Sequence, residues 1–281
     1  MNDVILLTNT DQGGQWSVSY KIDRPFKNGF AFSGSYLYGQ AKSVIDGTSS
    51  VATSNFFGLY QMGDINNPPL ATSDFDVRHR ILFNTTIPVP LPSNLTSYAS
   101  FFYNGQSGRP YSIVFNNDVN TDSRTTNDLI FVPASADQVN VINGTWAQLD
   151  AFLANDDAVK DYRGKIAPRN TGRSPWTNSL NFRYAVNVPT GGRARVEATM
   201  DIFNLLNLLN SQKGWVWYPN FGGPTIIGAT VGTDGKYTYN LNTITGANFL
   251  AQGATYDVPG TFTRDDLRSR WQMQWGLRFR F

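Results

Sequence analysis

The last eleven residues of the chain alternate strictly between apolar and polar side chains. The odd positions from Trp271 to Phe281 carry large apolar side chains, and the even positions from Gln272 to Arg280 carry glutamine, glycine or arginine. Because successive side chains of a strand point to opposite faces, this period of two predicts one two-faced β-strand. A soluble sandwich can show such alternation, but a face of large apolar residues opposite two arginines is more typical of a strand between lipid and water.

The same alternation recurs along the chain and predicts antiparallel strands of similar length. Each segment has close to the roughly 9–11 residues that cross a bilayer at a tilt. A short apolar segment, Val4 to Thr8, is interpreted as the end of a further strand, which brings the total to about eight. The pattern therefore predicts an all-β transmembrane antiparallel barrel. The alternating segments are 15–22, 30–38, 76–87, 95–106, 176–188, 193–202 and 271–281.

The connections between these segments alternate between short and long. Short turns are predicted at 23–29, 88–94 and 188–192, and long loops at 42–75, 107–175 and 207–265. Outer-membrane barrels have short periplasmic turns and long external loops. Nothing in the architecture of a sandwich requires its loops to alternate in length in this way. Within the longest loop, apolar residues at helical spacing between Trp146 and Lys160 predict a short helix.

Composition narrows the class of protein. The 281 residues carry a formal net charge of +2, which argues against a nucleic-acid partner, and they contain no cysteine, which excludes disulfides and thiolate metal sites. No apolar run approaches the length of about 18 residues that predicts a transmembrane helix. The one histidine, His79, has no evident nucleophile or metal ligand beside it in the pattern. We expect it at the lipid interface and expect no enzyme activity.

The first residues, Met1 to Thr8, lack the basic segment and long apolar stretch of an export signal. A barrel must be exported to reach an outer membrane. We therefore expect the chain to be the C-terminal portion of a longer barrel protein.

Charged residues fall on one face of several predicted strands. Charges facing lipid near the bilayer midplane would cost about 2–4 kcal/mol each, so we expect these side chains to face the lumen. Salt bridges that brace the wall are the favoured interpretation, and substrate selection in a channel is the alternative. The predicted lumen-facing charges are Asp76, Arg78, Arg80, Arg195, Glu197, Asp201, Arg278 and Arg280.

The loop from Asp118 to Asp128 has the oxygen-rich spacing of a calcium loop. Asp118, Asn120 and Asp122 occupy its positions 1, 3 and 5, and Asp128 follows at its end. The pattern lacks the glycine expected at position 6 and has Leu129 where a bidentate glutamate should stand. A polar loop with local turns is the simpler alternative. Calcium is the only cofactor that the sequence suggests.

Two aromatic groups have candidate roles. Trp215, Trp217 and Tyr218 crowd the last long loop, where they would stack on a ligand or pack on one another. The terminal strand, with its lipid-facing side chains, would also pair with the edge of an assembly machine by β-augmentation. The side chains that define this lipid-facing assembly signal are Trp271, Trp275, Phe279 and Phe281.

Several short motifs, in this order, make the chain resemble the C-terminal part of a TonB-dependent outer-membrane receptor. The Oar-like branch, which usually carries a carboxypeptidase-regulatory-like domain, is the most similar. Each motif is weak alone, and their order and spacing carry the resemblance. They are Ser73–Arg80, Ser107–Tyr111, Asn127–Pro133, Arg163–Asn170, Asp201–Asn207 and the terminal Phe281.

The resemblance implies a 22-stranded barrel with an N-terminal plug, inserted by the barrel assembly machinery in the outer membrane of a Gram-negative bacterium. Such receptors import or export large or scarce substrates and are driven by the TonB complex. The sequence has no room for a plug, so the resemblance covers only the C-terminal barrel segment, which would not transport alone. Two alternatives remain open: a small complete barrel with a structural or adhesive role, and a secreted carbohydrate-binding β-sandwich.

Overall fold

A computed structural model describes residues 5–92, 95–190, 194–219, 225–241 and 262–281. Its largest element is a sheet of seven long strands, which we call the wall, in which each strand pairs antiparallel with the next along the chain. The strands are β1 (Gly14–Pro25), β2 (Ala31–Ser43), β3 (His79–Val89), β4 (Thr96–Gln106), β5 (Thr177–Pro189), β6 (Arg195–Phe203) and β7 (Gln272–Arg280).

The register of the wall keeps the two kinds of side chain on separate faces. Apolar residues stand opposite one another, as in the pairs Phe101–Phe182 and Met200–Trp275. The other face pairs polar residues, as in Glu197–Arg278. Directly opposite side chains lie on the same face of a sheet, so the alternation within each strand becomes a continuous apolar face and a continuous polar face. The predicted antiparallel, all-β architecture is confirmed.

Two predicted strand positions were wrong. Residues 5–8 lie outside any strand, because a run of apolar residues without alternation has no polar face to set against a neighbour. The eighth strand of the sheet is instead the two-residue segment Ala71–Thr72, which pairs with the end of β2. The strand predicted from Asp76 begins at His79, since residues 74–78 form a turn and an irregular segment before it.

The predicted alternation of short and long connections is confirmed. The short ones span 26–30, 90–95 and 190–194, and the long ones 44–78, 107–176 and 204–271. In the first short turn Phe26 N–H donates to Phe30 O at 2.8 Å, and Gly29 takes a φ of 83° that favours glycine. Residues 93–94, 191–193, 220–224 and 242–261 of these connections lie outside the described residues. All long connections leave the same end of the wall.

The described parts of the long connections fold together into a body that we call the cap. It contains helices α1 (Ala52–Phe57), α2 (Trp146–Asn155), α3 (Leu205–Leu209) and α4 (Asp266–Ser269), and the 3₁₀ turn Ala136–Gln138. Its short strands pair among themselves, apart from Ala71–Thr72. They are Pro110–Tyr111, Val114–Phe115, Phe131–Val132, Val139–Ile142, Lys165–Ile166, Gly172–Arg173, Trp217–Pro219, Thr225–Val231, Tyr237–Asn240 and Phe262–Arg264.

The main hydrophobic core lies in the cap and not on the wall. Phe115, Leu153 and Tyr239 are fully buried there, in one cluster drawn from two different long connections. Strands from these connections also pair directly, with Thr225–Val231 parallel to Val114–Phe115. Each fully buried large apolar side chain contributes about 1.5–3 kcal/mol, so the loops form a folded layer.

The sequence of helix α2 determines both where this helix of the cap begins and which of its faces is buried. Thr145 accepts a hydrogen bond from Gln148 N, and the Gln148 side chain accepts one from Thr145 N, which is a capping box. Leu149, Phe152 and Leu153 then point into the core at helical spacing. The predicted helix is confirmed and ends at Asn155, five residues before the predicted limit.

No helix among the described residues is long and apolar enough to cross a membrane.

Leu153→Ala should destabilise the cap by about 2–5 kcal/mol, because it leaves a cavity at a fully buried position of α2. Hydrogen exchange of the α2 amides measures this loss. Leu209→Ala is the matched control: Leu209 is also helical but 74% exposed, and its change should stay within about 0.5 kcal/mol. Equal losses in both variants would contradict a core centred in the cap.

Candidate functional site

The apolar face of the wall is broadly exposed. Trp275, Leu277 and Phe279 of β7 are 73%, 70% and 66% exposed, and no second sheet covers them among the described residues. A soluble protein rarely leaves so large an apolar face in water. Lipid is the solvent that suits it.

Aromatic side chains mark the end of this face nearest the cap. The Tyr36 hydroxyl lies 2.7 Å from His79 Nδ1, and the His79 ring stacks on Trp176 with centroids 6.1 Å apart. Tyr38 contacts His79 at 5.0 Å between ring centroids. Such aromatic groups are typical of a membrane–water interface. His79 lies in this group, and its position at a lipid interface stays a prediction.

The opposite end of the wall carries a second aromatic group at the first short turn. Phe26, Phe30 and Phe32 lie within 5.2–6.4 Å of one another between ring centroids, and the Arg24 guanidinium lies 5.4 Å from the Phe26 ring. Two aromatic belts separated by an apolar band define the two surfaces of a bilayer.

The polar face carries ion pairs that join neighbouring strands. Arg183 Nε lies 2.6 Å from Asp201 Oδ1 across the β5–β6 pair, and its Nη2 donates to Asp201 Oδ2 at 3.0 Å. Glu197 Oε2 lies 3.1 Å from Arg280 and 3.7 Å from Arg278. Because each pair crosses a strand boundary, the charges hold adjacent strands together.

Arg278 and Arg280 were both predicted for this face. The alternation of the 176–188 segment places Arg183 on the same face, where it stands directly opposite Asp201. Tyr98 on β4 also donates to Glu197, at 3.2 Å. Arg195 stands opposite Arg280 in the register.

The charges predicted on β3 divide between two places. Arg80 is on the polar face, where its Nε donates to Asn104 Oδ1 at 3.2 Å. Asp76 and Arg78 precede the strand, and Asp76 is only 2% exposed. Asp76 accepts hydrogen bonds from Ala41 N at 2.5 Å and Arg78 Nε at 3.4 Å. The interpretation of Asp76 as a charge on the lumen face of a strand is therefore corrected: it is a buried link between β2 and the cap.

Two arginines of the longest loop form ion pairs with the first long connection, next to the end of β2. Arg173 forms a salt bridge to Asp76 and also donates to the Asp76 carbonyl at 3.2 Å. Arg169 Nη1 lies 3.2 Å from Asp46 Oδ2, and both side chains are almost fully buried. Sequence reasoning missed both arginines because the loop has no period and their partners lie about a hundred residues away.

The Asp46 carboxylate is held in its charged form. Burial alone would raise its pKa, but hydrogen bonds from Asp74 N, Ser73 Oγ and Ser43 Oγ, together with the charge of Arg169, leave the pKa below the usual value. The link between Asp46 and Arg169 is therefore an ion pair at neutral pH.

The predicted calcium loop folds around its own acidic side chains. Asp118 Oδ1 and Oδ2 accept hydrogen bonds from Asp122 N at 3.2 Å and Ser123 N at 2.9 Å. Asn120 Oδ1 accepts one from Asp122 N at 2.9 Å, and Asp128 Oδ2 accepts one from Val119 N at 2.6 Å. The four predicted residues are thus brought together. No group of three or more His, Cys, Asp or Glu side chains in the described ranges is arranged to hold a metal by itself.

The aromatic loop packs on itself. Trp215 and Trp217 meet edge to face with ring centroids 5.7 Å apart, and the Arg264 guanidinium lies 5.1 Å from the Trp215 ring. Trp215 Nε1 also donates to Ser211 O at 2.9 Å. Tyr218 remains 37% exposed. Mutual packing accounts for the two tryptophans, and ligand stacking stays a prediction.

The terminal strand forms one edge of the wall. Trp271 and Phe281 flank β7 and are 44% and 103% exposed. The strand pairs with β6 on one side only. An exposed edge is the feature that β-augmentation requires, and recognition by the assembly machinery stays a prediction.

Asp201→Asn should weaken the wall, because Arg183 loses the charged partner of its bidentate contact; we expect a loss of about 1–3 kcal/mol. The loss of stability is measured in detergent micelles as the urea concentration at which the folded form, whose gel mobility changes on heating, disappears. Asp23→Asn is the control, since Asp23 and its partner Lys21 are both more than half exposed at 53% and 64%. Its effect should be too small to shift that urea concentration measurably. A control effect as large as that of Asp201→Asn would rule out bracing by the ion pair.

Comparison with known proteins identifies the family. A family model described as "Outer membrane beta barrel domain" matches residues 5–230, most of the chain. No curated protein and no solved structure matches the chain. The matched region contains β1 to β6 of the wall and much of the cap. The exposed apolar face, the two aromatic belts and the long loops at one end agree with this match. The chain therefore belongs to the outer membrane β-barrel domain family, whose place is the outer membrane of Gram-negative bacteria.

Proposed function

We propose that this chain forms the C-terminal part of the barrel of a TonB-dependent, Oar-like receptor that moves a large or scarce substrate. The open wall carries this proposal. Among the described residues β1 pairs only with β2, and β7 pairs only with β6, so both edges have unpaired backbone groups along their length. An unsatisfied backbone group in hydrocarbon costs several kcal/mol, so each edge requires a partner strand.

Further strands of a longer chain supply such partners most simply. Seven strands that cross the membrane would then be a segment of a wide barrel. A wide barrel has a polar lumen that admits water or a plug, which suits the charged face formed by Arg183, Asp201 and Glu197. In this proposal the plug and the TonB complex act through the full-length protein.

The cap supports a receptor role. It is a folded layer with its own core, and the ion pairs of Asp46 and Asp76 join two of its long connections next to the end of β2. A rigid layer at the barrel mouth presents a preformed surface to a ligand, which lowers the entropic cost of binding. The exposed Tyr218 and the tryptophan pair beneath Arg264 lie in this layer. The wall ion pairs brace the strands in this account, and the cap selects the substrate.

The two alternative functions require a different pairing or covering of the wall strands. A small complete barrel with an adhesive role requires β1 to pair with β7. A secreted carbohydrate-binding sandwich requires a second layer over Trp271 and Trp275, which are 44% and 73% exposed. The outer-membrane family favours the first of these over the second.

Cross-linking of the wall edges tests the proposal, because the chain has no natural cysteine. Ser19→Cys on β1 is combined in turn with Gln272→Cys or Gln274→Cys on β7, in the full-length protein in its membrane. A short bifunctional thiol reagent should give no cross-link between these strands. It should join the directly opposed pair Ser33→Cys and Asn84→Cys, the positive control.

Efficient joining of β1 to β7 would contradict the proposal and indicate a small closed barrel. Release of the protein from the membrane without detergent would instead indicate the sandwich.

A further inference from the structure

Buried polar atoms without a hydrogen-bond partner are concentrated at one place in the cap. Of the seven such side-chain atoms among the described residues, five belong to Gln61, Arg124, Asn127 and Asp128. The backbone brings these residues together, since Gln61 N donates to Asn127 O at 2.9 Å and Gln61 forms a parallel bridge with Asp128. Buried polar groups are normally satisfied, so a cluster of unsatisfied ones points to a missing ligand.

Asp128 is the central group of this cluster. Its side chain is fully buried, Oδ2 accepts hydrogen bonds from Val119 N and Asn120 N, and Oδ1 has no partner. Its unpartnered oxygen is therefore available to a ligand.

In the part of the chain that the structure describes, Asp118, Asp122 and Asp128 form no salt bridge within 4.0 Å. Arg124, the cation within the loop, lies with its guanidinium carbon 3.6 Å from the centre of the Phe57 ring. Three carboxylates gathered without a cation repel one another, and a bound metal ion removes this repulsion.

Three of the five unpartnered atoms are oxygens, and the other two are Gln61 Nε2 and Arg124 Nε. Asp128 Oδ1, Asn127 Oδ1 and Gln61 Oε1 are all buried and unpartnered. Asn127 also faces the acidic loop, because its Nδ2 donates to Asp122 Oδ2 at 3.2 Å. Calcium takes six to eight oxygen ligands and accepts amide and backbone carbonyl oxygens as well as carboxylates. Such a ligand set does not need three convergent carboxylates.

The backbone also compensates for one departure from the calcium-loop pattern. Ser123 stands at position 6, where glycine is usual, and it has a φ of 68°. This is the left-handed conformation that glycine favours. The serine thus makes the turn that the glycine makes in a typical loop, and Asp128 supplies a carboxylate one position before Leu129.

We propose that the Asp118–Asp128 loop binds one divalent cation of the calcium class, held by Asp128 and the amide oxygens beside it and stabilised by Asp118 and Asp122. The ion joins two long connections, because Gln61 belongs to residues 44–78 and Asp128 to residues 107–176. It would therefore order the cap from outside the cell, where calcium is plentiful.

Calcium titration of the full-length protein in detergent, after treatment with EDTA, tests this proposal. Calorimetry should give one saturable event with a Kd of about 10⁻⁴–10⁻³ M, the range of extracellular modules. Magnesium should bind more weakly, because it prefers a smaller octahedral site. Protease cleavage within 118–128 should slow as calcium is added.

Asp128→Asn preserves shape and removes charge, and it should weaken calcium binding by about tenfold or more. Asp118→Asn serves the same purpose if that variant fails to fold. The control is Asp234→Asn in an exposed turn, which should bind as the unmodified protein does. Absence of saturable binding at millimolar calcium would overturn the proposal, as would unchanged affinity in both loop variants. Failure of calcium binding would leave the cross-linking test of β1 and β7 unaffected, so the two proposals are tested separately.

Discussion

The hydrocarbon core of a bilayer contains no hydrogen-bond partners, and this constraint determines how the strands of the wall are arranged. Each backbone N–H and C=O in hydrocarbon must pair within the protein, and the meander of seven strands achieves this for every strand between the two edges. The same constraint sorts the side chains. Trp275 and Phe279 lie on the exposed apolar face, while Glu197 and Arg280 share the opposite face and pair with each other. Strand order, face and ion pairing therefore have one physical cause.

The constraint also explains where the core lies. Among the described residues, the apolar face of the wall is exposed and offers no protein interior on which the long loops pack. The loops accordingly bury their own apolar residues, including Leu153 and Tyr239, and become the cap. Two ion pairs, Asp46 with Arg169 and Asp76 with Arg173, join long connections of the cap beside the end of β2.

The parts that could be predicted from sequence are those governed by a local period. Strand β7 and its two faces follow from alternation alone, and helix α2 follows from its spacing and its Thr145 cap. The segment Val4 to Thr8 misled because its run of four apolar residues carries no period. Arg173 and Asp76 could not be matched, because a long aperiodic loop separates them. The juxtaposition of Gln61 and Asp128 is likewise a property of tertiary folding.

Site-directed spin labelling of β7 tests most directly the claim that one face of the wall lies in lipid. Single cysteines are placed in turn from Met273 to Phe279 in the full-length protein in its membrane, in a background without other cysteines in this region. Collision rates with oxygen, which dissolves in lipid, should peak at odd positions such as Trp275 and Leu277. Rates with a water-soluble nickel complex should be higher at even positions such as Gln274 and Arg278. Absence of a two-residue period, or the opposite phase, would contradict the account.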